Sequence, residues 1–505
     1  MRRSLITCLF AALPFVPLAQ QASAQTLRVI LREDADMLDP TLARSFVGRI
    51  VFAGLCDKLF DINDKLQIVP QLATSFEYTD PKTLLIHLRP GVKFQDETPM
   101  DAEAVKYSLM RHLTMKGSAR TSEINAMDHV DVVDPLTVKV VLKAPSAPFV
   151  SQLTDRAGMI VSPKAAEAEG KDFALHPVCA GPMKFVERVA QDRIVLERFP
   201  DYWNKDAIHL DKVIYQPMPD SSVRLANLQS GAADIVEFIV PTDVDAVKHN
   251  PKLTLVSYDG LGYQGITYNL NNGPQSQTDI GKNALVRQAF DMSIDRDALM
   301  QVVYNGMFPA TGQAVPPESP FYAADVKPVA RNIDKAKALL KQAGVKLPVT
   351  VNLIAPNNPD IKQMAEVIQS MASEAGFDVK ITAMEFASSL DAAQQGNFSA
   401  YLLAWSGRVD PDGSLYSFLH SATGVQNYGK YASPEMDKLL DDARLETDTA
   451  KRKALYADVA RLTQKDVPIS YIYTVRYLAG LSNKVMGFKP VSDGIIRLQG
   501  ITLAP

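Results

Sequence analysis

Apolar and polar positions alternate along this chain with two different periods, and the switches between them outline its elements. Residues 83–88 and 137–142 alternate with the period of two that marks half-buried strands. Val105, Leu109 and Leu113 fall on one helical face behind Asp101, whose side chain suits an N-cap. Asp334 is placed to cap a second helix, with Ala336, Leu339, Leu340 and Ala343 inward and Gly344 at the stop. A strand over 349–353 follows, then a helix over 361–375 ending at Gly376. Ser433-Pro434 opens another helix with cap and first-turn proline in the favoured order. Leu455, Val459 and Leu462 stripe the next helix, which Pro468 closes. Helical and extended patterns alternate throughout, which predicts an α/β architecture.

One segment stands out chemically. The apolar run Tyr401-Leu402-Leu403-Ala404 reads as a buried strand, and it stops at a turn-rich segment, residues 405–413. Trp405, Arg408, Asp410 and Asp412 thus sit just past the carboxyl end of a strand, where open α/β sheets bind ligands. The plainer alternative is a strand exit with solvated charges.

Residues 1–24 read as a cleaved secretory signal peptide. Arg2 and Arg3 form a basic start, residues 5–18 a short apolar core, and Ala22-Ser23-Ala24 the cleavage site. No cysteine follows that site, so a periplasmic protein without a lipid anchor is expected. Loss of Arg2 and Arg3 takes the net charge from −4 to −6. A mildly acidic chain without a basic run argues against nucleic acid as a partner. Cys56 and Cys179 remain in an oxidising compartment. Two separate buried thiols are expected, with a single bridge as the alternative.

Catalytic constellations are absent from the sequence. There is no G-x-S-x-G, S-x-x-K, H-E-x-x-H, P-loop or C-x-x-C. The seven histidines show no ligand spacing, and His420 is the one nearest the Trp405 segment. No cofactor is expected, and the pattern favours a binding protein over an enzyme.

The stretch LATSFEYTDPKTLLIHLRPGVKFQDETPMDAEAVKYSLMRHL, ending at Leu113, resembles the signature region of the family 5 solute-binding proteins of ABC importers. Further blocks follow in the family order. They are Asp134-Pro135-Leu136-Thr137-Val138, Ala180-Gly181-Pro182, Pro200-Asp201-Tyr202-Trp203, Val286-Arg287-Gln288-Ala289-Phe290 and Asn332-Ile333-Asp334-Lys335-Ala336. The chain departs from the family at Phe94-Gln95-Asp96-Glu97, where Phe-His-Asp-Gly is usual, and at Val178-Cys179-Ala180 and Phe199. These positions fall in structural turns, so subgroup drift is expected there.

The resemblance implies a two-lobed periplasmic binding protein (type II, cluster C) with an extra subdomain in the first lobe. Lobe I would use residues 25–265 plus 480–505, with the subdomain near 66–180, and lobe II residues 266–479. Hinge crossings are expected near 263–271 and 477–482. The implied function is a receptor that captures a peptide or peptide-like, carboxylate-bearing small organic solute and delivers it to an ABC permease in the inner membrane, acting as a monomer. A nickel-type metal-chelate carrier is the alternative within the family, and a secreted hydrolase the alternative of another class.

Dipeptide receptors of this family carry an aspartate where this chain has Arg408, and that aspartate takes the ligand's ammonium. A guanidinium instead suits a carboxylate. The expected ligand contacts are therefore Trp405 as a stacking wall, Arg408 as an anion clamp and Asp410 as a polar partner that could recover the amine role. On the first lobe the resemblance points to Arg156 and to the early loop of Arg44, Ser45 and Phe46. Tyr263 and Asn269 are expected at the first hinge crossing.

Overall fold

Two long strands, Leu253–Tyr268 and Ile469–Ser482, pair antiparallel over most of their length and form the spine of the molecule. At about 3.3 Å per residue the longer one spans roughly 50 Å. The computed structural model describes residues 25–505, so the signal-peptide reading lies outside the described residues. At one end of the spine, Tyr263 to Tyr268 pairs with the strand Ala400–Trp405, which lies beside the parallel pair Val349–Pro356 and Phe377–Met384. At the other end Gly480 and Leu481 pair with the short strand Ile235–Val236. Thr26–Leu31 and Lys212–Pro217 follow in parallel, then Arg193–Arg198 and Met183–Val189. The result is one ten-stranded sheet with a distinct cluster of strands at each end.

The spine's register breaks between Asp259 and Tyr263. Gly262 lies there because a Cβ at that position would come within 1.9 Å of the Trp405 carbonyl oxygen. The backbone of residue 262 is thereby pressed against the end of the strand that carries Trp405.

A separate four-stranded antiparallel sheet, in the order Ala73–Asp80, Thr83–Leu88, Thr137–Leu142 and Met127–Asp134, packs on the helix Ala102–Thr114 around its own apolar cluster. Thr83–Leu88 buries alternate residues, as its period of two predicts. Asp101 caps the helix by accepting from the Ala104 backbone N–H at 3.1 Å. The other periodic segments form Ile333–Ala343, Val349–Pro356, Pro359–Ser373, Pro434–Leu445 and Thr449–Asp466. One cap differs. Asn332, not Asp334, accepts from the Lys335 N–H at 2.9 Å, and Asp334 lies within the first turn, where its charge complements the helix dipole.

Cys56 and Cys179 form a disulfide, which corrects the expectation of two separate thiols. The partners lie 123 residues apart, and tertiary contacts bring them together. Gly181 donates to the Leu55 carbonyl at 3.0 Å, and a Cβ at 181 would clash with that backbone at 2.4 Å. Gln95 completes the junction, donating to the Leu55 and Met183 carbonyls at 2.7 Å each and accepting from the Cys179 N–H. The Phe94–Glu97 departure therefore lies in a structural turn, with Glu97 itself at φ 68°. Among the described residues no helix is long and apolar enough to cross a membrane.

Candidate functional site

The carboxyl ends of several strands converge on one cavity between the two ends of the sheet. Arg32 and Glu33 follow the strand Thr26–Leu31, Glu237 and Phe238 follow Ile235–Val236, and Trp405 and Ser406 end Ala400–Trp405. The cavity volume is about 110 Å³, well above the roughly 10–15 Å³ that one water needs. Aromatic rings dominate its wall: Phe46, Phe238, Phe386, Trp405, Tyr428 and Tyr473 all line it.

Polar bridges, some with a partner in the cavity wall and some beyond it, join segments 32–155 to segments 358–444. Arg44 pairs with Asp391 at 2.7 Å, and Arg32 with Asp360 at 3.3 Å. Arg49 donates to the Ser406 hydroxyl at 2.9 Å, and Gln152 to Asp412 at 2.8 Å. Arg444 holds Asp412 with two bonds and also donates to the Ser122 carbonyl. A further bridge, an ion pair, joins Arg408 Nε to Asp155 Oδ2 at 2.6 Å. Asp155 also faces Arg49 Nε at 3.1 Å. Burial alone would push the Asp155 carboxyl up, but the Arg408 and Arg49 guanidiniums hold it well below its usual value. Burial takes Arg408 down to about 10, against the pull of Asp155.

Three of the nine sequence-selected residues, Arg44, Phe46 and Trp405, line the cavity. Phe46 stacks on Tyr477 with ring centroids 5.5 Å apart. Trp405 packs edge-on against Phe418, and its indole N–H reaches the Ser414 hydroxyl at 3.3 Å. Arg408 is not part of the cavity lining, and its guanidinium lies 4.4 Å from the Trp405 ring centroid. Asp410 is held by both terminal nitrogens of Arg452, at 2.8 and 2.9 Å. Arg408 and Asp410 border a neighbouring groove of about 600 Å³, but both charges there are already matched.

The other four serve the framework. Arg156 is fully buried and donates to the Ala43 and Ser45 carbonyls, fixing the early loop from beneath. Ser45 caps the helix Phe46–Leu55 and donates to Asp36 at 2.7 Å. Tyr263 packs edge-on against Tyr471. The Asn269 amide donates to three carbonyls, those of Asn272, Gly396 and Phe398.

The sequence-based selection passed over Glu33, Glu237 and Gln426, which also line the cavity. The strand-end rule that singled out Trp405 applies equally to Glu33 and Glu237 and was the available signal. Burial pushes the Glu33 carboxyl up to about 8, Arg32 pulls it back, and Glu237, Glu385 and Asp36 push it further. Burial also raises Glu237, against the pull of Arg32 and Arg224. Among the described residues, no three or more His, Cys, Asp or Glu side chains are grouped so as to hold a metal ion.

Residues 67–426 match the family described as bacterial extracellular solute-binding proteins, family 5 Middle. The chain is 29% identical over 480 residues to the glutathione-binding protein GsiB of Pectobacterium atrosepticum, covering 92% of each. It is 30% identical over 439 residues to di/tripeptide-binding protein 1 of Pseudomonas aeruginosa, covering 80% of each. Among solved structures it is similar to the periplasmic binding protein DppA from Helicobacter pylori in complex with the peptide STSA. That likeness has a TM-score of 0.87 at 25% identity, over 95% of this chain and 98% of that one. AgaA of A. tumefaciens in complex with agropinic acid gives 0.87 at 26% identity, over 95% and 99%. By this match, the order of its sequence blocks and its two-lobed α/β fold, the chain belongs to the family 5 extracellular solute-binding proteins, the receptors of bacterial ABC importers.

Proposed function

We propose that this chain is an exported receptor that closes over a small peptide or peptide-like solute and delivers it, chemically intact, to an ABC permease in the inner membrane. The observation that carries this reading is the aromatic cavity, walled by strand ends from both halves of the sheet, with polar bridges joining the two. Relatives named for binding glutathione and di- or tripeptides support solutes of that size. Among the described residues the one serine in the lining, Ser406, has Arg49 and not a base as its hydrogen-bond partner, which does not suit hydrolysis.

Lobe I is assigned residues 25–265 and 480–505, with the subdomain near 66–180, and lobe II residues 266–479. The register break at residues 259–263 supports a hinge crossing there, slightly before the sequence-based position. The receptor acts as a periplasmic monomer after loss of residues 1–24. Trp405 and Phe46 serve as walls, Arg44 borders the mouth, and Arg408 acts as a latch between lobes rather than an anion clamp. The test is to purify the protein natively, denature it and analyse the released small molecules by mass spectrometry. An intact solute that rebinds the refolded protein is expected, whereas a solute consumed on incubation would identify a hydrolase.

A further inference from the structure

The charges that line the cavity are unevenly matched. Arg32, Arg44 and Arg476 each face a carboxylate, Asp360, Asp391 and Asp259 respectively. Glu237 is 5% exposed, and its one hydrogen bond comes from the Arg32 backbone N–H at 3.2 Å. Among the described residues neither Glu33 nor Glu237 has a cation at ion-pair distance. The guanidiniums whose charge reaches them, Arg32 and Arg224, have closer partners elsewhere. Arg32 lies over the Phe238 ring at 4.5 Å, and Arg224 donates to the carbonyls of Met218, Pro219 and Phe238.

A second, independent feature is Gln426. It is 5% exposed and lines the same cavity, yet both its amide nitrogen and its amide oxygen lack a hydrogen-bond partner. Buried polar groups are nearly always paired, because an orphan costs its full desolvation. An amide with a spare donor and a spare acceptor matches another amide or a carboxamide-like group.

We infer that the cavity is built for a solute with a positively charged nitrogen, seated between Glu33 and Glu237, and an amide group read by Gln426. This deepens the receptor reading and rests on it. A cation there restores the ionised form of carboxylates that burial disfavours, and the surrounding aromatic faces attract it as well. It also reverses the charge preference expected from Arg408, whose guanidinium pairs with Asp155 through Nε and does not line this cavity.

Calorimetry on refolded, solute-free protein tests the inference with matched probes. These are the dipeptide amide Leu-Phe-NH2, its N-acetyl form, which lacks only the ammonium, and N-acetyl-Leu-Phe, which carries only the carboxylate. The cationic probe should bind at least tenfold more tightly than either other. Glu33→Gln and Glu237→Gln should each abolish that preference, and Gln426→Leu should weaken the cationic probe by tenfold or more. Thermal melts of the unliganded variants guard against misfolding, and Glu33→Gln should melt no lower than the parent. Equal binding of the neutral or anionic probe, an undiminished preference in Glu33→Gln, or no binding of any probe overturns the assignment. The receptor reading is judged separately, by whether an intact solute leaves the natively purified protein.

Discussion

Replacing Arg408 by methionine removes a guanidinium from the lobe junction while keeping most of the side chain's volume. The lost interaction is the 2.6 Å ion pair to Asp155, which retains Arg49 at 3.1 Å. Removing one partner of a wholly buried pair costs about 3–5 kcal/mol when it strands the other charge. Because Arg49 stays in place, a smaller loss of about 1.5–3 kcal/mol applies, the lower part of the range for close charge pairs. If the pair exists only in the closed form, the closed-to-open ratio falls by roughly 10- to 150-fold. Calorimetry with the solute recovered from native protein should show that loss in affinity, with little change in the melting temperature of the empty protein. The loss should be equal for cationic, neutral and anionic solutes, since a latch acts on closure and not on cargo. A loss confined to anionic solutes would restore the clamp role for Arg408, and unchanged affinity throughout would refute the latch.

Glu33 links stability to pH in a direction that follows from its raised value of about 8. Below pH ~4.5 the carboxyl is protonated whether folded or unfolded. As pH rises towards 8 the unfolded chain ionises first, so the folded state loses up to about 1.4 kcal/mol per pH unit across that window. Glu33 is partly exposed, and solvent screening reduces the total to about 2 kcal/mol. Glu33→Gln should therefore melt higher than the parent at pH 9 and equally at pH 4, and a gap that does not widen with pH would contradict this. Separately, Cys56→Ser with Cys179→Ser opens a 123-residue loop and should cost about 4–5 kcal/mol in the chain-entropy picture. Denaturant titration checks it, and a loss below 1 kcal/mol would show that the bridge constrains little.

The sequence disclosed local structure wherever one period persisted, as in Thr83–Leu88 and Ala102–Thr114. It misjudged the Asn332-Ile333-Asp334 cap because two good capping residues stand two apart. The family resemblance carried the architecture, since a sheet joining Ile235 to Leu481 leaves no local signature. At the site, Trp405 was legible because a clear apolar strand leads into it. Glu237 was harder to read, because Ile235–Val236 is too short to show a period, whereas Glu33 follows the six-residue strand Thr26–Leu31 and the strand-end rule could have found it. The ion pair of Arg408 was not legible for a related reason: its partner Asp155 lies 253 residues earlier, and pairings at that range are set by tertiary packing alone. The Cys56–Cys179 bridge stood second to two separate thiols for the same reason.

Closure over cargo is the claim on which the rest depends, and small-angle X-ray scattering of the refolded, solute-free protein measures it directly. Adding the solute recovered from the native preparation should reduce the radius of gyration saturably, with a midpoint equal to the calorimetric dissociation constant. Saturated binding with an unchanged radius of gyration would contradict a receptor that works by closing its lobes.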